Sequence, residues 1–203
     1  MDSSIIRLVA ITDNVRDGQV GLIGRASAAA HGGATCIQLR LKDVSARDLV
    51  SLARELVRAV GVPVIVNDRA DVAVAAGAAG VHLGADDVPV SAVRSFAPAG
   101  FIIGTSVGCD EEVANAEDAD YVGIGPVFAT GSKVTAGSAI GIDEFARLAV
   151  ATGLPAVGIG GVTHLNARLV IDAGAVGVAV IAAVFGATDP QAAAREIAFA
   201  IGR

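Results

Sequence analysis

Residues Pro63–Asp87 read PVIVNDRADVAVAAGAAGVHLGADD. The stretch opens on one apolar run, PVIVND, and ends on a second, GVHLG. Neither run alternates polar with apolar, so each suits a strand covered on both faces, as in parallel sheets. The segment between them has room for a brief helix. Polar residues come as each run ends: Asn67-Asp68 after the first and Asp86-Asp87 after the second.

The same unit recurs in both directions. Further runs are Ile5–Ile11, Cys36–Arg40, Phe101–Ser106, Tyr121–Pro126, Pro155–Gly161 and Gly177–Phe185. Leu49, Leu52, Leu56, Val57 and Val60 fall at helical spacing between charged residues. Pro190–Ile201 is a second helix pattern, opened by Asp189 as cap and Pro190 in the first turn. The gaps after Ile11, Arg40, Ser106 and Pro126 are each long enough for a helix. Eight strands alternating with helices predict an α/β fold, a single (β/α)8 TIM barrel over residues 1–203. The even spread of the units favours closure over an open doubly wound sheet.

Composition narrows the function classes. Of the 203 residues, 53% are hydrophobic and 18% charged, which excludes a disordered chain. Net charge is −6 and no basic stripe is visible, which argues against a nucleic-acid partner. Cys36 and Cys109 imply no disulfide framework. Mean hydropathy is +0.63, so membrane spans need checking. The longest uncharged stretch, Leu148–Ala167, contains Pro155, His164 and Asn166, and the most apolar, Ala173–Thr188, has 16 residues. A span needs about 20 mostly apolar residues. MDSSIIRL lacks the pattern of a signal peptide. The expectation is a cytoplasmic protein with no membrane partner; a homo-oligomer is compatible with the sequence, which leaves the oligomeric state open.

In a parallel barrel, function gathers at the carboxyl ends of the strands. Residues there are Thr12-Asp13, then Gln38, Arg40 and Lys42, then Asn67-Asp68, His82 with Asp86-Asp87, Thr105-Ser106, Thr130 with Ser132 and Lys133, Gly160-Gly161, and Ile181-Ala182. The chain has thirteen Arg but two Lys, Lys42 and Lys133, both just past strand ends. Arg serves here as the ordinary surface cation, so the lysines look placed for a purpose. Asp68 and Asp87 end neighbouring strands and suit a shared hard cation such as Mg2+, completed by phosphates and water. Their bland alternatives are a salt bridge to Arg69 or a loop cap for Asp68, and the N-cap of a helix near Val88-Pro89 for Asp87. Glycines after the seventh and eighth strands suit a phosphate. The loop from Ala129 to Ala139 reads as a flap or as a plain solvent loop. His82, between Val81 and Leu83, reads as a satisfied core histidine rather than a base. No Cys/His metal spacing and no Ser/His/Asp signature stands out, so no covalent intermediate is expected.

Several segments together resemble the thiamine phosphate synthase family: QLRLK (Gln38–Lys42), VNDRADVA (Val66–Ala73), GVHLGADD (Gly80–Asp87), IGTS (Ile103–Ser106), DADYVGIGPVFATGSK (Asp118–Lys133), GIGGV (Gly158–Val162) and AGAVGVAVI (Ala173–Ile181). They run in order along nearly the whole chain. The resemblance implies a transferase that joins 4-amino-2-methyl-5-(diphosphooxymethyl)pyrimidine to a thiazole phosphate, releasing pyrophosphate with Mg2+. It implies Gln38, Arg40, Lys42, Asn67 and Ser106 as contacts to the pyrimidine diphosphate. It further implies Asp68 and Asp87 as metal ligands and Lys133 as a flap lysine on the pyrophosphate. For the thiazole phosphate it implies Thr130, Ser132, Gly161 and the backbone at Ile181-Ala182. Catalysis falls to Lys133, Arg40 and Ser106. Ser132 stands where many members have Thr, and Ala182 where members often have Ser. The related thiazole tautomerases use a histidine at the place of Gly108. That isomerase, another phosphate-binding barrel enzyme such as an isomerase of a phosphorylated sugar or amino-acid precursor, and a non-catalytic precursor-binding relative are the alternatives.

Overall fold

The computed structural model describes residues 1–12, 18–131 and 138–202. Its strands are β1 Leu8–Ile11, β2 Cys36–Leu39, β3 Val64–Asn67, β4 Gly80–Leu83, β5 Ile102–Val107, β6 Tyr121–Ile124, β7 Ala156–Ile159 and β8 Gly177–Val180. Each pairs in parallel with the next, and β1 pairs with β8, so the barrel closes. The helices are α1 Gly18–His31, α2 Ala46–Ala59, α3 Ala70–Ala76, α4 Val90–Arg94, α5 Gly141–Thr152, α6 Ala167–Asp172, α7 Ala182–Phe185 and α8 Pro190–Ala200. This is the expected (β/α)8 barrel.

Strand periodicity sorts the apolar residues into two cores. One face of each strand packs under the helices; Ile37, Val66, Val81, Ile103 and Val122 belong to this outer cluster with Leu52, Leu56 and Phe145. The alternate residues Val9, Cys36, Ile65, Ile102, Tyr121, Val157 and Ala179 form a smaller cluster inside the barrel. Helix α2 shows how a sequence makes one covering helix. The Ser45 hydroxyl accepts from the Asp48 amide at 3.2 Å, a cap typically worth about 1 kcal/mol. Leu49, Leu52, Ala53 and Leu56 then lie on one buried face. Truncating a buried leucine such as Leu52 to alanine costs about 2–5 kcal/mol.

Three elements depart from the sequence reading. The first run begins as a 3-10 helix, Ser3–Ile6, before β1. The last run divides into β8 and α7, because a short apolar run does not distinguish strand from buried helix. After β5 the connection is a 3-10 helix, Asp110–Ala116, rather than an α-helix. Asp189 does cap α8, accepting from the Ala192 amide at 2.9 Å. Among the described residues no helix is long and apolar enough to cross a membrane.

Both cysteines are free thiols; Cys36 lies inside the barrel and Cys109 is half-buried. Burial pushes the Cys36 thiol up to about 12. A thiol reagent at neutral pH should therefore modify one cysteine, Cys109, in the native protein and the second only after denaturant is added. Two fast-reacting thiols in the native state would contradict this packing.

Candidate active site

The carboxyl ends of the strands open into a cavity of about 680 Å3. Its lining includes Gln38, Arg40, Asn67, Asp68, Asp87, Ser106, Thr130, Gly161, Ile181 and Ala182, so ten of the residues singled out from sequence meet there. Lys42 does not: it is exposed and outside the lining. Ser132 and Lys133, with most of the suspected flap, lie outside the described residues.

Backbone hydrogen bonds fix where each of these side chains starts. On the β2 side, the Thr12 amide donates to the Gln38 carbonyl at 2.9 Å. The Thr12 hydroxyl accepts from the Arg40 amide at 2.8 Å and donates to the Arg40 carbonyl at 3.0 Å. Thr12 is fully buried, so this side chain extends the β1–β2 ladder beyond the strands and holds Arg40 at the rim. Asn67 ends β3, and Asp68 takes a left-handed φ of 62°, which aspartate tolerates better than most residues. The Asp68 amide still donates to the His82 carbonyl at 2.8 Å, so the turn begins while the β3–β4 ladder holds.

Asp87 is not a helix cap. Helix α4 starts at Val90 with Pro89 in the cap position, and the Asp87 carboxylate instead accepts the Gly84 amide at 2.6 Å. Arg69 forms its ion pair with Asp71, whose carboxyl it holds below the usual range. Asp68 and Asp87 thus end adjacent strands and line one cavity. Among the described residues no group of three His, Cys, Asp or Glu could hold a metal by itself. Two hard carboxylates fit Mg2+, which usually takes one or two protein carboxylates plus phosphate and water oxygens.

Across the cavity, Gly160 and Gly161 follow β7 with φ of 93° and 64°. A Cβ on Gly161 would sit 2.6 Å from the Ala129 carbonyl oxygen, so only glycine lets this loop lie there. Asn166 secures it: its side-chain oxygen accepts the Thr163 amide at 2.8 Å, and its amide donates to the Gly161 carbonyl at 3.0 Å. Ile181 and Ala182 enter the lining where α7 starts, and the first amides of a helix have no intrahelical acceptor.

The sequence reading missed the cavity's inner wall. His82 and Tyr121 both line it. Nδ1 of His82 lies 3.0 Å from the Tyr121 hydroxyl and Nε2 lies 3.1 Å from the Ser106 hydroxyl. His82 is therefore hydrogen-bonded, as expected of a core histidine, yet it also belongs to the site. Burial pushes the Tyr121 phenol well above its ordinary range, so it stays protonated. Strand parity could have found both rings, since His82, Gly104 and Tyr121 are lateral neighbours across β4, β5 and β6.

Nothing in the backbone requires glycine at Gly108. Its amide donates to Glu112 at 2.6 Å, and an added Cβ would sit 3.4 Å from its nearest neighbours, an ordinary contact. Gly104 is different. A Cβ there would lie 2.2 Å from the Tyr121 ring. Gly104→Ala should cost about 1–3 kcal/mol through overpacking, read as a lower denaturation midpoint in urea. An unchanged midpoint would show that the ring does not sit on Gly104.

A family model described as thiamine monophosphate synthase matches residues 8–184. A thiamine-phosphate synthase from Roseiflexus sp. strain RS-1 is 50% identical over 192 residues, covering 92% of this chain and 81% of the relative. One from Methanoculleus marisnigri is 53% identical over 174 residues, covering 83% and 82%. The solved structure of thiamine phosphate pyrophosphorylase from Pyrococcus furiosus superimposes with a TM-score of 0.84 at 36% identity, covering 98% of this chain and 96% of that one. Family model, sequence relatives and solved structure agree over nearly the whole barrel, and the chain belongs to the thiamine monophosphate synthase family.

Proposed function

We propose that the protein couples 4-amino-2-methyl-5-(diphosphooxymethyl)pyrimidine with a thiazole phosphate to give thiamine phosphate and pyrophosphate. The observation that carries this reading is one cavity with two differently built walls. Asp68, Asp87, Arg40, Asn67 and Ser106 stand on the β2–β5 side, and the fixed glycine loop and the start of α7 stand on the β7–β8 side. A diphosphate suits the first wall and a monophosphate the second. Names of the relatives support the same reaction.

The bond that breaks joins the pyrimidine methylene to the diphosphate oxygen. Its electron pair leaves with pyrophosphate, and the electron-rich aminopyrimidine stabilises the cationic methylene. The thiazole nitrogen then supplies the pair for the new C–N bond. Nothing in this sequence requires a strong base. It requires positive charge near the leaving oxygens and exclusion of water. Arg40 is the only Lys or Arg in the cavity lining among the described residues. Lys133 is assigned to the pyrophosphate as a second cation. Asp68 and Asp87 would hold Mg2+, whose contribution is to neutralise charge on the diphosphate. Ser106 and Asn67 orient it, Gln38 faces the pyrimidine, and Thr130, Ser132, Gly161, Ile181 and Ala182 receive the thiazole phosphate. Lys42, exposed and outside the described lining, is assigned to the same diphosphate. Highly charged phosphorylated substrates support a cytoplasmic location.

The tautomerase alternative is weakened because Gly108 supplies no ring nitrogen, and both ring nitrogens of His82 already face hydroxyls. Incubation with both phosphorylated precursors and Mg2+ should give the coupled product by mass and one pyrophosphate per product. A chelator should abolish turnover, and excess Mg2+ restore it. Asp68→Ala and Lys133→Ala should each lower the rate on the order of 10²–10³-fold. Near-normal pyrophosphate release in either variant would remove the role assigned to that residue.

A further inference from the structure

Along the inner wall of the cavity, Tyr121, His82 and Ser106 form a hydrogen-bonded chain. The geometry points to His82 and Tyr121 as positioning residues that turn the Ser106 hydroxyl so that its hydrogen is donated into the cavity.

The Tyr121 ring is 2% exposed and packs with Ile65, Ile102, Val157, Ala179 and the Cys36 thiol. Among the described residues, the hydrogen-bond partner of its hydroxyl is Nδ1 of His82, at 3.0 Å. A buried O–H that fails to donate loses a hydrogen bond with no water to replace it. The phenol hydrogen therefore goes to Nδ1, which must be unprotonated to accept it. A neutral imidazole then carries its hydrogen on Nε2. Nε2 is 3.1 Å from the Ser106 oxygen and donates to it. With one lone pair of that oxygen occupied, the serine's own hydrogen is free to turn toward the space it lines. The reverse tautomer would make Ser106 donate to Nε2 and present only an acceptor to an anionic diphosphate.

The rings are held against rearrangement. Gly104 admits the Tyr121 ring, as shown above, and a Cβ on Gly123 would come within 3.0 Å of Cε1 of His82. The two ring centroids lie 5.5 Å apart at an interplanar angle of 38°. Two glycines on β5 and β6 thus seat two rings from β6 and β4, and the order Tyr121, His82, Ser106 rises from floor to mouth. A hydrogen bond aimed at an oxygen that gains charge strengthens as the bond breaks, so the arrangement acts on turnover rather than on substrate affinity.

The effect on rate rests on the reaction proposed above, but the tautomer does not, so the two can fail separately. Nitrogen-15 spectra of the substrate-free protein, with His82→Asn identifying the signal among the three histidines, should show Nδ1 as the unprotonated and Nε2 as the protonated nitrogen. Tyr121→Phe keeps the ring on Gly104 and removes only the hydroxyl. It should mix the tautomers and lower kcat about fivefold to tenfold, the worth of one oriented hydrogen bond, with little change in KM. In a Ser106→Ala background the same substitution should cost nothing further. An Nδ1-protonated or charged ring in the wild-type protein would overturn the inference, whatever the variants do. So would a Tyr121→Phe loss that persists in full without the serine.

Discussion

Closure of β1 onto β8 is the constraint on which the rest depends. It forces eight strand ends to converge and gives every strand one face turned inward. The inner space is narrow, so each inward side chain has to be reconciled with those on the strands beside it. The lower layers are filled by aliphatic residues and Tyr121. Higher up, the inward positions of β4, β5 and β6 carry His82, Ser106 and Gly123, and the filling stops. The cavity is the unfilled upper part of the same barrel core, which is why polar residues there have fixed backbones under them.

Stability and chemistry divide between the two ends. At the amino end, Arg94 donates to the carbonyls of Phe101 and Asp118 and pairs with Asp120 at 2.9 Å. Asp120 in turn accepts the Ile103 amide at 2.8 Å, and Arg7 reaches the carbonyls of Val176 and Ile201. These contacts join helices and strand starts without approaching the cavity. At the other end Thr12, Asn166 and Asp87 perform the same stitching from within the site, each spending a side chain on backbone groups of a loop that carries a proposed contact.

Much of this was legible in the sequence because parallel strands declare themselves as uninterrupted apolar runs and the chain order then says which end is which. Asn67-Asp68 and Asp87 could be placed at neighbouring strand ends without coordinates for that reason. Depth within the barrel was not legible. His82 and Tyr121 sit between apolar neighbours, and a run such as GVHLG does not say whether its polar member faces the helices or the cavity. The parity of β5 points the right way, since Gly104 and Ser106 share a face, but the four-residue strands β4 and β6 on either side leave their register to the pairing. Boundaries failed where local apolarity was ambiguous, as at Ile181–Phe185. Lys42 lies outside the cavity lining because a loop residue's direction is not set by the strand that precedes it.

The described lining holds Asp68, Asp86, Asp87 and Glu112 against Arg40 alone. A diphosphate and a monophosphate would add more negative charge to a chain whose net charge is already −6. Like charges at such separations repel strongly where water is scarce. An acidic cavity that binds anions is self-consistent only if its carboxylates are engaged elsewhere or bind a cation. Glu112 is engaged by the Gly108 amide, and Asp87 by that of Gly84, through one oxygen. In the reading proposed above, Asp68 and Asp87 together would hold a divalent ion, converting a repulsive corner of the cavity into an attractive one.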